Sequence, residues 1–158
     1  MYVVDTNILV EAQRRYYGFS IVPSFWIFLE DQFVRGNLVS IRPVLAELRE
    51  GEDELSAWAN EHKQFFSPVD DAKTLIKLME IADWANQQNF TQAAISEFLD
   101  EADYYLVAYA AAHQLTVLTH EHYSPDVRKR VLIPNVCRAF GVDYRDTFEM
   151  MHQLGARI

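Results

Sequence analysis

Cysteine is almost missing from this chain: Cys137 stands alone, so no internal disulfide can form, and a reducing cytoplasm is the expected setting. Glycine and proline, five of each, fall as isolated punctuation, which excludes low-complexity stretches and flexible linkers. No run of about 18 apolar residues occurs, so no membrane-spanning helix is expected. The opening residues have no basic segment and reach Asp5 at once, unlike a secretory leader. Cations are scarce as well. With 14 Lys and Arg against 23 Asp and Glu, the net charge is −9, which argues against a general nucleic-acid coat. It leaves room for a site whose acids are offset by a bound cation.

What the chain does have is apolar mass. Of its 158 residues 50% are hydrophobic and 13% aromatic, enough for a real core and too much for disorder. One domain over residues 1–158 is expected. Residues 1–4, 38–41, 115–119 and 131–133 are short apolar runs of strand type. Helical patterns lie between them: from Asp5 or Thr6 to Tyr17, from Pro23 to a stop at Gly36, from 43 to 50 before Gly51, and from 53 to 62. Asp70 or Asp71 caps a long amphipathic helix to about Gln88. Further helices start at Thr91, cover 100–114, follow Pro134 up to Gly141, and begin at Asp146 and Thr147. Strands alternating with helices imply right-handed crossovers, hence an α/β fold with a mostly parallel sheet and helices on both faces. Ligands of such folds bind beyond the carboxyl ends of the strands.

Acids stand at those ends. Asp5 follows the first strand, Glu47 lies on the helix after the second, and Glu121 lies just beyond 115–119, between His120 and His122. On the helix over 100–114, Asp103 precedes Leu106 by three residues, Val107 by four and Ala110 by seven, which puts it on the buried face. A buried charge needs a partner or a metal. Asp100 and Glu101 read differently, as first-turn acids favoured by the helix dipole. Hard cations such as Mg²⁺ and Mn²⁺ prefer carboxylate oxygens. At an effective dielectric near 20, two carboxylates about 4 Å apart repel by about 4 kcal/mol, so a cluster of them needs cations. The plain alternatives stay open: Asp5 as a helix N-cap, Glu47 and Glu121 as solvated residues, Asp103 paired with an internal Arg or Tyr.

In their order, these residues resemble the four motifs of PIN-domain (PIN-like) nucleases. The segments are VVDTNILV (3–10), LVSIRPVLAEL (38–48), ADYYLVAYA (102–110) and TVLTHE (116–121). The resemblance spans about residues 1–145. It implies a three-layer α/β/α fold and Mg²⁺- or Mn²⁺-dependent endoribonuclease activity. Asp5, Glu47 and Asp103 would be metal ligands, Glu121 a fourth acid, and Thr6 and Asn7 supports of Asp5. The VapC-like toxins of type II toxin–antitoxin pairs are similar single-domain proteins, which adds RNA as substrate, an antitoxin partner and a homodimer. The fourth acid of the family is usually Asp, and here it is Glu121. Residues 14–26 are not common to the family and mark a separate branch, and the helix over 70–88 is extra material.

Two other readings belong beside this one. A PIN-like module with a weak or empty acidic site would bind protein or RNA without cutting it. A phospho-acceptor domain with Asp5 as acceptor would leave Asp103 without a purpose. Arg14 and Arg15, followed by Tyr16 and Tyr17, form a basic-aromatic patch suited to RNA phosphate and base, or an ordinary helix end. Arg128, Lys129 and Arg130 read as a solvated run that could touch phosphate, and His120 and His122 as loop histidines. Phe25, Trp26, Phe28, Leu29 and Phe33 read as core, with a dimer or antitoxin surface as the alternative, and Cys137 reads as core.

Overall fold

Residues 2–4 are apolar on both faces because their strand is central. The computed structural model describes residues 1–158 and places β1 (Tyr2–Val4) in the middle of a five-stranded sheet. The order is β3-β2-β1-β4-β5, with β2 at Leu38–Ile41, β3 at Phe66–Ser67, β4 at Thr116–Leu118 and β5 at Tyr144–Arg145. Every pairing is parallel. Val3 faces Val39 on one side and Val117 on the other. From β1 the chain crosses to β2 in one direction, and β4 lies in the other, so the strand order switches at β1. The carboxyl end of β1 is therefore where such a fold opens a crevice.

Helices cover the sheet on both faces as α1 (Thr6–Glu11), α2 (Pro23–Val34), α3 (Arg42–Arg49), α4 (Glu54–Glu61), α5 (Ala72–Gln87), α6 (Gln92–Asp100), α7 (Ala102–His113), α8 (Ile133–Ala139) and α9 (Thr147–Gln153). This is the three-layer PIN-like α/β/α fold that the motifs imply. Helix α7 packs on β4 on one side and on α5 on the other. It can be buried between them because Ala102, Ala108 and Ala110 let both neighbours approach, while Leu106 and Val107 fill the core. Thr74, Leu78, Ile81 and Ala85 make the inward stripe of α5. The caps are local and legible: Asp53, Asp71, Thr91 and Asp146 each accept a hydrogen bond from a backbone N–H three residues on. Gly36 and Gly141, which follow the ends of α2 and α8, have φ of +78° and +66°, a conformation that suits glycine. Phe25, Trp26, Leu29 and Phe33 are core, as is the free Cys137, whose thiol burial pushes well up from its usual range.

Three expectations need correction. Residues 131–133 are not a strand: Ile133 starts α8 and Pro134 sits in its first turn. Proline cannot donate to a sheet ladder, and three apolar residues carry no period that separates strand from packed coil. The sheet edges are instead the two-residue strands β3 and β5, too short to leave a pattern. The helix drawn from residue 5 to 17 stops at Glu11 and continues as a π-helical turn, Ala12–Tyr16. The helix drawn over 100–114 begins at Ala102, because Asp100 closes α6 and Glu101 takes the N-cap position of α7. No helix is long and apolar enough to cross a membrane.

Candidate active site

Asp5 leaves β1 directly, held by its own N–H donating to the carbonyl of Leu118 on β4 at 3.2 Å. It occupies the N-cap position of α1, yet its side chain makes no cap hydrogen bond. The residue is 1% exposed, and neither carboxylate oxygen has a hydrogen-bond partner. Such an arrangement is costly for a charged group and marks a site that wants an external partner. Burial first, then the charges of Asp103, Glu121 and Glu47, push the Asp5 carboxyl well above its ordinary range, and only the nearby N–H of Thr6 favours the ionised form.

Asp103 sits in the first turn of α7, half-buried and facing the same centre. Its carboxyl is pushed up to about 7 by burial, then by Glu121, Glu101 and Glu47, with Arg130 pulling the other way. Glu121 lies past the end of β4. One of its oxygens accepts from the Ile133 N–H at 3.4 Å; the other is buried, has no hydrogen-bond partner, and faces the Arg130 guanidinium at 3.6 Å. Burial raises this carboxyl as well, against the pull of those two neighbours.

Glu47 is bound into the frame. The Thr6 hydroxyl donates to one oxygen at 2.8 Å and the Ala102 N–H to the other at 2.9 Å. A carboxylate at the start of α7 suits the helix dipole. Glu47 thereby ties the β1–α1 junction, α3 and the helix of Asp103 together, and each oxygen keeps a free lone pair. The Thr6 hydroxyl thus serves Glu47 rather than Asp5, and Asn7 points to solvent.

The fold gathers Asp5, Glu47, Asp103 and Glu121 around the switch point, close enough that Asp103, Glu121 and Glu47 each raise the pKa of Asp5. As they stand, no three His, Cys, Asp or Glu side chains are disposed to hold a metal ion. Glu47 and Glu121 are drawn to protein donors, while Asp5 and Asp103 face the centre. Arg14 lies apart, 3.9 Å from Asp53, and Arg15 is exposed on the π-helical turn. Two residues at the centre were given other places by the sequence, Arg130 in a solvated run and Glu101 in the first turn of a helix. Arg130 separates from its run to reach Glu121, whereas the Arg128 guanidinium donates to the Asn89 carbonyl at 3.2 Å. Glu101, at the α7 N-cap, adds a fifth carboxyl raised by burial, Glu97 and Glu47. Nothing local distinguishes Arg130 from its neighbours, because the long-range approach to Glu121 decides it.

The profile of a family described as a domain of unknown function (DUF4411) matches residues 2–158. No curated protein matches the chain in sequence. Among solved structures, the chain is similar to VapBC2 from Rickettsia felis bound to a DNA fragment from its promoter, with TM-score 0.56 and 18% identity over 92% of this chain and 97% of that one. It is also similar to FitAcB from Neisseria gonorrhoeae, with TM-score 0.56 and 20% identity over 91% of this chain and 96% of that one. A third, FitAB bound to a DNA fragment, has TM-score 0.56 and 17% identity over 92% and 94%. At these identities the likeness is one of fold.

Proposed function

The chain belongs to the DUF4411 family, and for this member we propose a metal-dependent endoribonuclease, the toxin of a toxin–antitoxin pair, built as one domain over residues 1–158. The observation that carries the reading is Asp5: a fully buried carboxylate with no partner, facing three more acids at the strand switch. The donor set is all oxygen and fits Mg²⁺ or Mn²⁺. The unsatisfied oxygens of Asp5 and Glu121 are those a cation would satisfy. When bound, a divalent cation would activate water and offset the charge that develops on the phosphodiester.

The protein's own part follows from the geometry. Asp5 and Asp103 would hold the cation, with Glu47 contributing a free lone pair while it keeps α7 in place. Glu121, shared between Arg130 and Ile133, would hold a second cation or orient the attacking water. Hydrolysis adds this water across the P–O bond, and the leaving oxygen takes a proton. Acids that bind protons near neutral pH can also release and receive them there. Arg14 and Arg15, on the exposed turn beyond α1, are candidates for contact with RNA phosphate. Solved complexes of similar fold, such as VapBC2, support an antitoxin partner for this chain, and a homodimer in the cytoplasm belongs to the same proposal.

A second reading is favoured by the tethering of Glu47 and Glu121: a PIN-like module that binds RNA or protein with its acidic centre idle. Incubation of the purified protein with RNA separates the two. The nuclease should cut RNA with Mg²⁺ or Mn²⁺ and stop on chelation. Inactivity with both cations, on structured and single-stranded RNA, would leave the binding module. Thr6→Val gives a finer check. Loss of the hydroxyl that holds Glu47 should weaken Mn²⁺ binding roughly 10–100-fold, the range for groups that orient a metal ligand. Calorimetric titration measures it, and an unchanged affinity would remove Glu47 from the site.

A further inference from the structure

A cleft of about 850 Å³ opens beside Glu121, between the carboxyl ends of β4 and β5 and the first turn of α9. It shares Thr119, His120 and Glu121 with the fourth motif, and the rest of its lining lies outside the four motifs or at their margins. Its volume lies within the range of small-ligand sites. Two aromatic rings stand in it unprotected: Tyr16 is 49% exposed and Phe148 is 51% exposed, edge to face at 5.9 Å. The His120 ring lies 6.5 Å from that of Tyr16.

These rings are held, not dangling. Tyr16 ends the π-helical turn, and its neighbour Tyr17 stacks on Phe25 at 4.2 Å. Phe148 lies inside the capping box of Asp146 and Glu149, and the Thr147 hydroxyl meets His120 at 3.2 Å. Exposed aromatic rings set at 82° beside an acidic centre make a corner in which a flat ligand can stack on one ring and meet the other.

The charge of the lining decides which one. The carboxylates of Glu11, Glu121, Asp143, Asp146 and Glu149 outnumber the guanidiniums of Arg138 and Arg145. A phosphodiester would be repelled here, so the sugar–phosphate must stay outside. A nucleobase would not be repelled if its edge carries N–H donors. One oxygen of the Glu11 carboxylate lies 3.8 Å from His120 Nε2, an ion pair when that ring is protonated, and the other has no basic partner within 4 Å. Guanine presents an N–H and an amine side by side, which a carboxylate accepts in a fork. Uracil flanks its one N–H with two carbonyls and would meet the same acids with repulsion.

We infer that this cleft is a base-specificity subsite for single-stranded RNA, stacking a guanine on the Phe148 ring beside Tyr16 with its N–H edge on Glu11. The inference rests on the nuclease reading for its substrate class. Base recognition by stacking and Watson–Crick-edge contacts requires an unpaired strand.

The test uses fluorescein-labelled oligouridine strands with one central guanosine, adenosine, cytidine or uridine, and the guanosine strand as a duplex. Anisotropy gives the Kd of each for the full-length protein in chelator, and a cleavage map with Mn²⁺ accompanies it. The guanosine strand should bind tightest, with roughly tenfold weaker binding for all-uridine and for the duplex. Phe148→Ala should weaken the guanosine strand roughly tenfold, Phe148→Trp should restore it, and Glu11→Ala should flatten the base preference. Unchanged melting temperatures would show these variants folded. Equal affinity for all four strands, no effect of Phe148→Ala, or no binding would overturn the subsite. Cleavage without base preference overturns the subsite and leaves the nuclease standing. Base-selective binding without cleavage does the opposite.

Discussion

RNA cleavage by the Asp103→Asn variant should fall by at least roughly a hundredfold with the fold intact. Groups that merely orient a metal ligand cost up to about that much when removed, so a carboxylate facing the cation must cost no less. The amide keeps the shape of the side chain and removes the charge. Asp103 is half-buried at the first turn of α7, open enough to reach a ligand. Burial first, then Glu121, Glu101 and Glu47, raise its pKa to about 7, so without metal it is partly protonated at neutral pH. Cation binding must displace that proton, and both affinity and cleavage should climb as pH rises through about 7. The measurement is a single-turnover rate at subsaturating Mn²⁺ over a pH series. A rate equal to wild type would take Asp103 out of the site and the metal mechanism with it.

In metal-free protein, Asp5→Asn should raise stability above neutral pH by on the order of a few kcal/mol. The cause is a buried carboxylate with no hydrogen-bond partner and three acids around it. Folded Asp5 and Asp103 have pKa values above those of the unfolded chain. Between the unfolded and folded values the native state holds more protons, so stability is lost as pH rises. For Asp103 that window runs from 3.8 to about 7; for Asp5, raised well above 3.8, it starts at the same point. Wild type without metal should therefore melt progressively lower from acid to mildly alkaline pH, and Asp5→Asn should flatten the slope. Divalent cations should restore wild type, by about 2.7 kcal/mol at a hundredfold excess over Kd, and leave Asp5→Asn unmoved. Calorimetric melts with and without Mn²⁺ decide it. A flat wild-type profile, or a variant less stable than wild type at every pH, would mean that Asp5 carries no buried charge.

Much of the architecture was open to reading from the chain. Val3 and Val4, buried on both faces, forced β1 to the middle of a sheet, and the dense apolar helix from Ala102 onward could lie only between layers. Asp103 was found because seven residues of helical spacing placed it on the wrong face for a charge. Glu101 was missed as a neighbour of the centre because it was read as the second residue of a helix that in fact starts one residue after it. Strands β3 and β5 were missed because two residues carry no period.

The sequence by itself determined which residues are apolar with which period, and hence the parallel α/β sheet, most helices and their caps, and the acids at strand ends. These depend on neighbours within a few residues, where spacing translates directly into geometry. Only the tertiary structure decided that the Thr6 hydroxyl and the Ala102 N–H both belong to Glu47, that Arg130 alone of its run turns to Glu121, and that Tyr16 and Phe148 flank one cleft. Each of those contacts joins segments 30 or more residues apart or turns on the path of a loop. Such meetings follow from packing the whole chain, and no local pattern encodes them.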